Sequence, residues 1–174
     1  MFEMLEEETP RSSWRKTIEG DGGHCPICDR WGKIYSRTIN QTMAKSFIWL
    51  VKAHQALPPE ENGWVNIPKD APRWLVRSNQ LPTLAWWKLV QRKPKNDLDS
   101  AEEDSLSKNK FSGLWKPTEE GLLFYSGKQT APIKVWTYNN KVQSVSQERF
   151  FLWECFDHYF DYKETMELNY EDEK

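Results

Sequence analysis

The segment Trp115-Lys116-Pro117-Thr118-Glu119-Glu120-Gly121-Leu122-Leu123-Phe124 constrains this chain more than any other. It reads as a short strand passing directly into a capped helix. The Thr118 hydroxyl can accept from the free N–H groups of a first turn, and Glu119 and Glu120 face the positive end of the helix dipole. Upstream, residues 80–88 read as a short helix with Pro82 in its first turn, and Leu89-Val90-Gln91-Arg92-Lys93 reads as a strand. A polar loop, residues 94–113, links that strand to Leu114-Trp115. The spacing therefore predicts helix, strand, long loop, strand and helix in succession.

The preceding residues extend this pattern. Over residues 40–55, Met43, Phe47, Leu50, Val51 and His54 recur at helical spacing, with Asn40 or Thr38 as cap and Pro58-Pro59 as stop. Trp64-Val65-Asn66-Ile67 alternates as a small strand. Asp70-Ala71-Pro72 resembles an N-cap with Pro in the first turn, opening a helix that runs to Arg77 before a turn at Ser78-Asn79. Further on, residues 133–138 and 141–145 predict a hairpin about Asn139-Asn140, two residues that tolerate positive φ. Residues 150–160 are intensely aromatic and are expected to be helical. The expected class is α+β: a mobile arm over 1–20, a Cys-knuckle segment over 21–37, a core over 38–125, and a hairpin, aromatic helix and acidic tail over 126–174.

Composition bounds the function. A chain of 174 residues suits one well-packed domain, and its ten Trp point to a core of bulky aromatic side chains. No apolar run approaches the roughly 18 residues that span a bilayer, and the acidic start, Glu3 to Glu8, lacks the basic region of a signal peptide. Two of the three Cys stand in Cys-Pro-Ile-Cys spacing, which fits a reducing compartment, and a cytoplasmic location is expected. The net charge of −2 conceals a sorted distribution. From Arg11 to Ala53 there are eight cations against three acids, and from Ala71 to Asn96 six cations and no acid. The acids collect at 3–8, 97–104 and 154–173. A basic middle between acidic segments can meet a polyanion on one face.

Two constellations carry chemistry. Cys25-Pro26-Ile27-Cys28 has the spacing that sets two thiolates on one zinc ion at roughly 2.3 Å, and Cys155 with His158 supplies a sulfur and an imidazole for the other half. His24 and Asp29 are competing ligands, and a buried Cys and His are equally at home in an aromatic core. A redox role for the pair needs a helix starting at the first Cys, and residues 29–33 do not read as one. No phosphate-binding glycine loop, His-Glu-x-x-His or nucleophile elbow is present, so a role other than catalysis is expected. For nucleic acid, Arg73, Arg77, Lys88, Arg92 and Lys93 supply phosphate contacts, while Asn79, Gln80 and Thr83 supply groups that read base edges.

From about Ile39 to Phe124 the chain resembles the winged-helix superfamily, in particular MarR-type transcriptional regulators. Their second wing strand runs into a Thr-x-x-Gly-apolar helix start like Thr118-Glu119-Glu120-Gly121-Leu122. With Cys25-Pro26-Ile27-Cys28-Asp29-Arg30-Trp31-Gly32-Lys33-Ile34-Tyr35 and Phe160-Asp161-Tyr162, the whole chain is similar to winged-helix proteins carried by bacteriophages and prophages. The resemblance implies a winged helix-turn-helix core, double-stranded DNA as partner, and regulation on behalf of a phage or mobile element. The loop departs from the family: Asp97, Asp99, Glu102, Glu103 and Asp104 stand where a wing tip often carries Arg, with Lys108 and Lys110 following. The long terminal helices of a MarR-type dimer are not evident either. These acidic segments admit a second expectation, an interaction module that docks on a host nucleic-acid-binding protein by imitating phosphate, with exposed Trp as anchors.

Overall fold

The computed structural model describes residues 9–94, 111–157 and 161–174. The chain runs through α1 (Pro10–Glu19), β1 (Gly23–His24), β2 (Trp31–Gly32), β3 (Tyr35–Thr38) and α2 (Gln41–Ala56). It continues with β4 (Val65–Asn66), α3 (Ile67–Asp70), α4 (Arg73–Ser78), α5 (Leu81–Leu84), β5 (Val90–Pro94), β6 (Phe111–Pro117) and α6 (Glu119–Tyr125). The last elements are β7 (Ala131–Pro132), β8 (Lys134–Tyr138), β9 (Lys141–Val145), β10 (Arg149–Phe150) and α7 (Tyr162–Glu167). Helices and small antiparallel sheets thus alternate, an α+β arrangement. Contacts divide the described residues into a hairpin unit, 9–38 with 134–146, and a helical unit, 39–94 with 111–133 and 147–174.

In the helical unit, α2 is the axis of the core. Its N-cap Asn40 accepts the Met43 N–H at 2.9 Å, and Ala44, Phe47, Leu50 and Val51 are fully buried. The one polar side chain buried with them, Ser46, returns its hydroxyl to the Thr42 carbonyl at 2.8 Å, so no donor is stranded. Phe47 meets Phe124 with ring centroids 5.8 Å apart, and Phe124 meets Phe150 edge-on at the same separation. Each such buried aliphatic or aromatic side chain contributes about 1.5–3 kcal/mol by leaving water. Three strands lie in the order β4-β6-β5, with the strand last in sequence in the middle.

The β6–α6 junction forms as its residues require. Thr118 caps α6 by accepting the Gly121 N–H at 3.0 Å, and its own N–H donates to the Leu89 carbonyl at 3.0 Å. Its hydroxyl donates to the Lys88 carbonyl at 2.5 Å. The entry to β5 therefore lies across the first turn of α6. A Cβ at position 121 would stand 2.1 Å from the Leu89 oxygen, which is why the motif carries glycine there.

In the hairpin unit, β3 pairs with β8 and β8 with β9. Asn139 and Asn140 take φ of 50° and 60° between β8 and β9, the left-handed pair expected of this turn. The hairpin thus builds the sheet of the N-terminal segment, where the sequence had grouped it with residues 126–174.

Three local expectations are corrected. Residues 10–19, expected as part of an arm without regular structure, form α1: the Thr9 hydroxyl accepts the Ser12 N–H at 3.2 Å, and Pro10 occupies the first turn. The helix expected from Asp70 opens at Arg73, because Pro72 forces Ala71 into extended backbone with ψ of 147°. Of the aromatic helix expected over 150–160, the described residues 150–157 instead form the end of β10 followed by a single 3-10 turn, Leu152–Cys155. Its rings go to separate neighbours: Phe150 to Phe124, and Phe151 stacked on Trp153 at 4.3 Å. Such an unbroken run offers no single helical face. The acidic part of the 94–113 loop lies outside the described residues, as does His158.

Candidate functional site

The acid-free segment folds into a helix, a turn, a second helix and a strand. α4 ends because Asn79 adopts the left-handed region at φ 47°, with its N–H on the Leu75 carbonyl at 3.1 Å. α5 follows at once, tightens into a 3-10 turn over Ala85–Trp87, and stops where Lys88 takes φ 60°. Leu75, Leu81, Leu84 and Trp87 are buried, and the Trp87 indole donates to the Pro132 carbonyl at 2.8 Å. These anchors hold the polar face of the helix pair outward. Arg73, Arg77, Asn79 and Lys88 are exposed on it, and Arg92 and Lys93 are exposed on β5.

Two members of the expected set have local partners. The Gln80 amide nitrogen donates to the Ser78 carbonyl at 2.9 Å and Gln80 is half-buried, as is Thr83. The Arg92 Nε donates to the Ser112 carbonyl at 2.7 Å, with its guanidinium 5.4 Å from the Trp115 ring, so Arg92 also ties β5 to β6. The second helix is shorter than the expected 80–88 span. Val76, 47% exposed between the two arginines of α4, was not singled out from the sequence. Its neighbour in spacing, Leu75, is fully buried, so the helical pattern alone gave no sign that Val76 faces outward.

The cysteine pair lies on the turn between β1 and β2 in the hairpin unit. The Cys25 N–H donates to the Arg30 carbonyl and the Asp29 N–H to the Cys25 carbonyl, each at 2.8 Å, with Asp29 left-handed at φ 55°. The backbone N–H groups of Ile27 and Cys28 point at the Cys25 sulfur and hold its thiol below the ordinary range, helped by the Cys28 side chain. A knuckle with donors aimed at the first sulfur stabilises the thiolate that a soft metal ion takes. His24 is held by a 2.8 Å contact between its Nδ1 and the Asp29 carbonyl.

Cys155 belongs to the helical unit, where burial and then the charge of Glu154 push its thiol up to about 12. Among the described residues no group of three His, Cys, Asp or Glu side chains converges to hold a metal. His54, at the end of α2, bonds the Gly63 carbonyl through Nδ1 at 2.7 Å, a structural contact. Also among the described residues, no helix is long and apolar enough to cross a membrane.

No family model matches this chain, and neither curated proteins nor solved structures match it.

Proposed function

We propose that the helical unit is a winged helix-turn-helix that binds double-stranded DNA, in a regulator serving a phage or mobile element. The observation that carries this reading is the succession α2, β4, α3, α4, α5, β5, β6 with sheet order β4-β6-β5, joined to six cations and no acid between Ala71 and Asn96. A helix pair with its buried face pinned and its cationic face exposed suits phosphate contact by Arg73, Arg77 and Lys88. Asn79, Gln80 and Thr83 lie between those cations, where base edges would be read. Arg92 and Lys93 extend the contact along the strand that follows.

The Cys25–Cys28 knuckle supports zinc as a structural metal in the hairpin unit, since both sulfurs stand on one tight turn with N–H donors toward the first. Zinc there would lock the turn, with no part in catalysis.

The second reading, an interaction module docking on a host nucleic-acid-binding protein, is favoured by exposed Val76 amid the α4 arginines. Against it, Glu173 of the acidic tail is already engaged, 3.4 Å from Lys45 and accepting from the Trp74 indole at 3.2 Å. Fluorescence anisotropy of a labelled mixed-sequence duplex across a salt series tests the first reading. Affinity should fall steeply with salt. Absence of duplex binding at low salt, with one host protein retained from lysate, would replace it with the second.

A further inference from the structure

A groove of about 860 Å³ opens within the hairpin unit between α1 and the β8–β9 face, a volume in the range of ligand sites. Its floor follows from strand alternation. Val135 and Thr137 are buried on one face of β8, so Trp136 and Tyr138 project from the other, each half-buried with ring surface available. Its wall is α1, whose Trp14 packs against Gly32 so closely that a Cβ there would lie 2.6 Å from the indole. The Ile34 N–H donates to the Ile18 carbonyl at 2.7 Å, which fixes the end of α1 to the chain entering β3. The rim carries Arg11 and Arg15, one helical turn apart, Arg15 bonded to Glu19 at 2.8 Å in an exposed pair.

We propose that this groove binds single-stranded nucleic acid, with unpaired bases stacked on Trp136 and Tyr138 and the backbone phosphate held by Arg11. Half-buried rings in a groove that exposed arginines also line fit a ligand that is flat and aromatic at one end and anionic at the other. A duplex keeps its base faces stacked internally and offers none to such a recess. Stacking on aromatic side chains accepts any base, because every base has a π-face, so the expected preference is for strandedness over sequence. Gln143, on the lining, donates from its amide nitrogen to the Lys141 carbonyl at 3.3 Å, and its amide oxygen is of the kind that accepts from base edges.

The test uses the full chain with a fluorescein-labelled 15-mer of deoxythymidine, the matching oligouridine, and heparin as a polyanion without bases. Oligonucleotide binding should quench tryptophan fluorescence and weaken with salt. Trp136→Ala should weaken it roughly tenfold or more, and Arg11→Glu, an exposed change that leaves the core intact, should weaken it and flatten the salt slope. An Arg73→Ala, Arg77→Ala variant should retain single-strand affinity while losing duplex affinity, which separates this site from the duplex-binding reading. A tighter oligouridine complex would assign the ligand to RNA, and a tighter thymidine complex to DNA. The proposal is overturned by absence of single-strand binding, by binding indifferent to both groove variants, or by heparin competing without quenching as strongly as the oligonucleotide.

Discussion

Replacing Gly121 by Ala sets two effects of opposite sign against each other. In an isolated helix Ala is favoured over Gly by about 0.8–1.0 kcal/mol, so propensity alone predicts stabilisation. Here the new Cβ would lie 2.1 Å from the Leu89 oxygen and 3.0 Å from its carbonyl carbon. That is over an ångström inside an ordinary C···O contact of about 3.3 Å. The obstacle is backbone, and the same oxygen accepts the Thr118 N–H at 3.0 Å. Relieving the overlap must therefore push α6 off β5 or break the junction. Overpacking costs about 1–3 kcal/mol, and a lost backbone bond together with a weakened cap adds roughly 2 kcal/mol. After subtracting the propensity gain, Gly121→Ala should destabilise the helical unit by about 2–4 kcal/mol. Urea unfolding followed by tryptophan fluorescence reads this as a lower midpoint at unchanged slope. An unchanged or higher midpoint would refute the reasoning, since propensity would then be the only term acting.

On duplex DNA, the Arg73→Ala, Arg77→Ala double variant should weaken binding to every sequence and reduce the salt slope by about 1.8, the sum of two phosphate contacts; an unaltered slope would remove both residues from the interface. Purified protein should carry zinc by elemental analysis, and Cys25→Ser or Cys28→Ser should lose it; metal content unchanged in both would refute the knuckle assignment. For Cys155 the folded thiol lies at about 12 against an ordinary 9.0, so the folded state keeps its proton longer than the unfolded chain does. The stability this contributes is whole below pH 9 and declines as pH rises toward 12. The difference in unfolding free energy between wild type and Cys155→Ala should shrink over that window; a difference independent of pH would contradict it. After zinc is stripped by a chelator, at pH 8, iodoacetamide should label Cys25 well ahead of Cys155 by peptide mass mapping, and the reverse order would be inconsistent with the donors at Cys25.

Local chemistry was legible where one stretch of chain decides the outcome. The α2 period with its Asn40 cap, the Thr118 cap and the Asn139-Asn140 turn all follow from neighbours within a few residues. What escaped depends on distant partners. Trp14 and Ile18 give only two apolar positions, too few to mark α1, and their packing partner Gly32 lies beyond the knuckle. The tail was marked from the sequence only by its acidity, as a docking segment, yet the Trp49 indole donates to the Tyr170 carbonyl at 3.0 Å. The Lys52 ammonium also bonds the carbonyls of Thr165 and Leu168, where the end of α7 gathers negative dipole. Of the candidate interface, the cations were plain from counting. The local bond of Gln80 and the tie from Arg92 to Ser112 were not, because each acceptor is a backbone carbonyl whose direction no residue type encodes.

The pairing of β3 with β8 has a consequence for how the chain is made. Residues 35–38 leave the ribosome well before their partners at 134–137, with most of the helical unit in between. At about 5–20 residues per second, β3 waits on the order of ten seconds with its backbone donors and acceptors unmatched. The β1–β2 turn needs no such wait, since its two strands are separated only by the knuckle. A metal captured there at emergence would give the nascent N-terminus its first closed element. An interruption of synthesis before residue 134 would leave β3 as a bare strand edge, open to pairing with a neighbouring nascent chain.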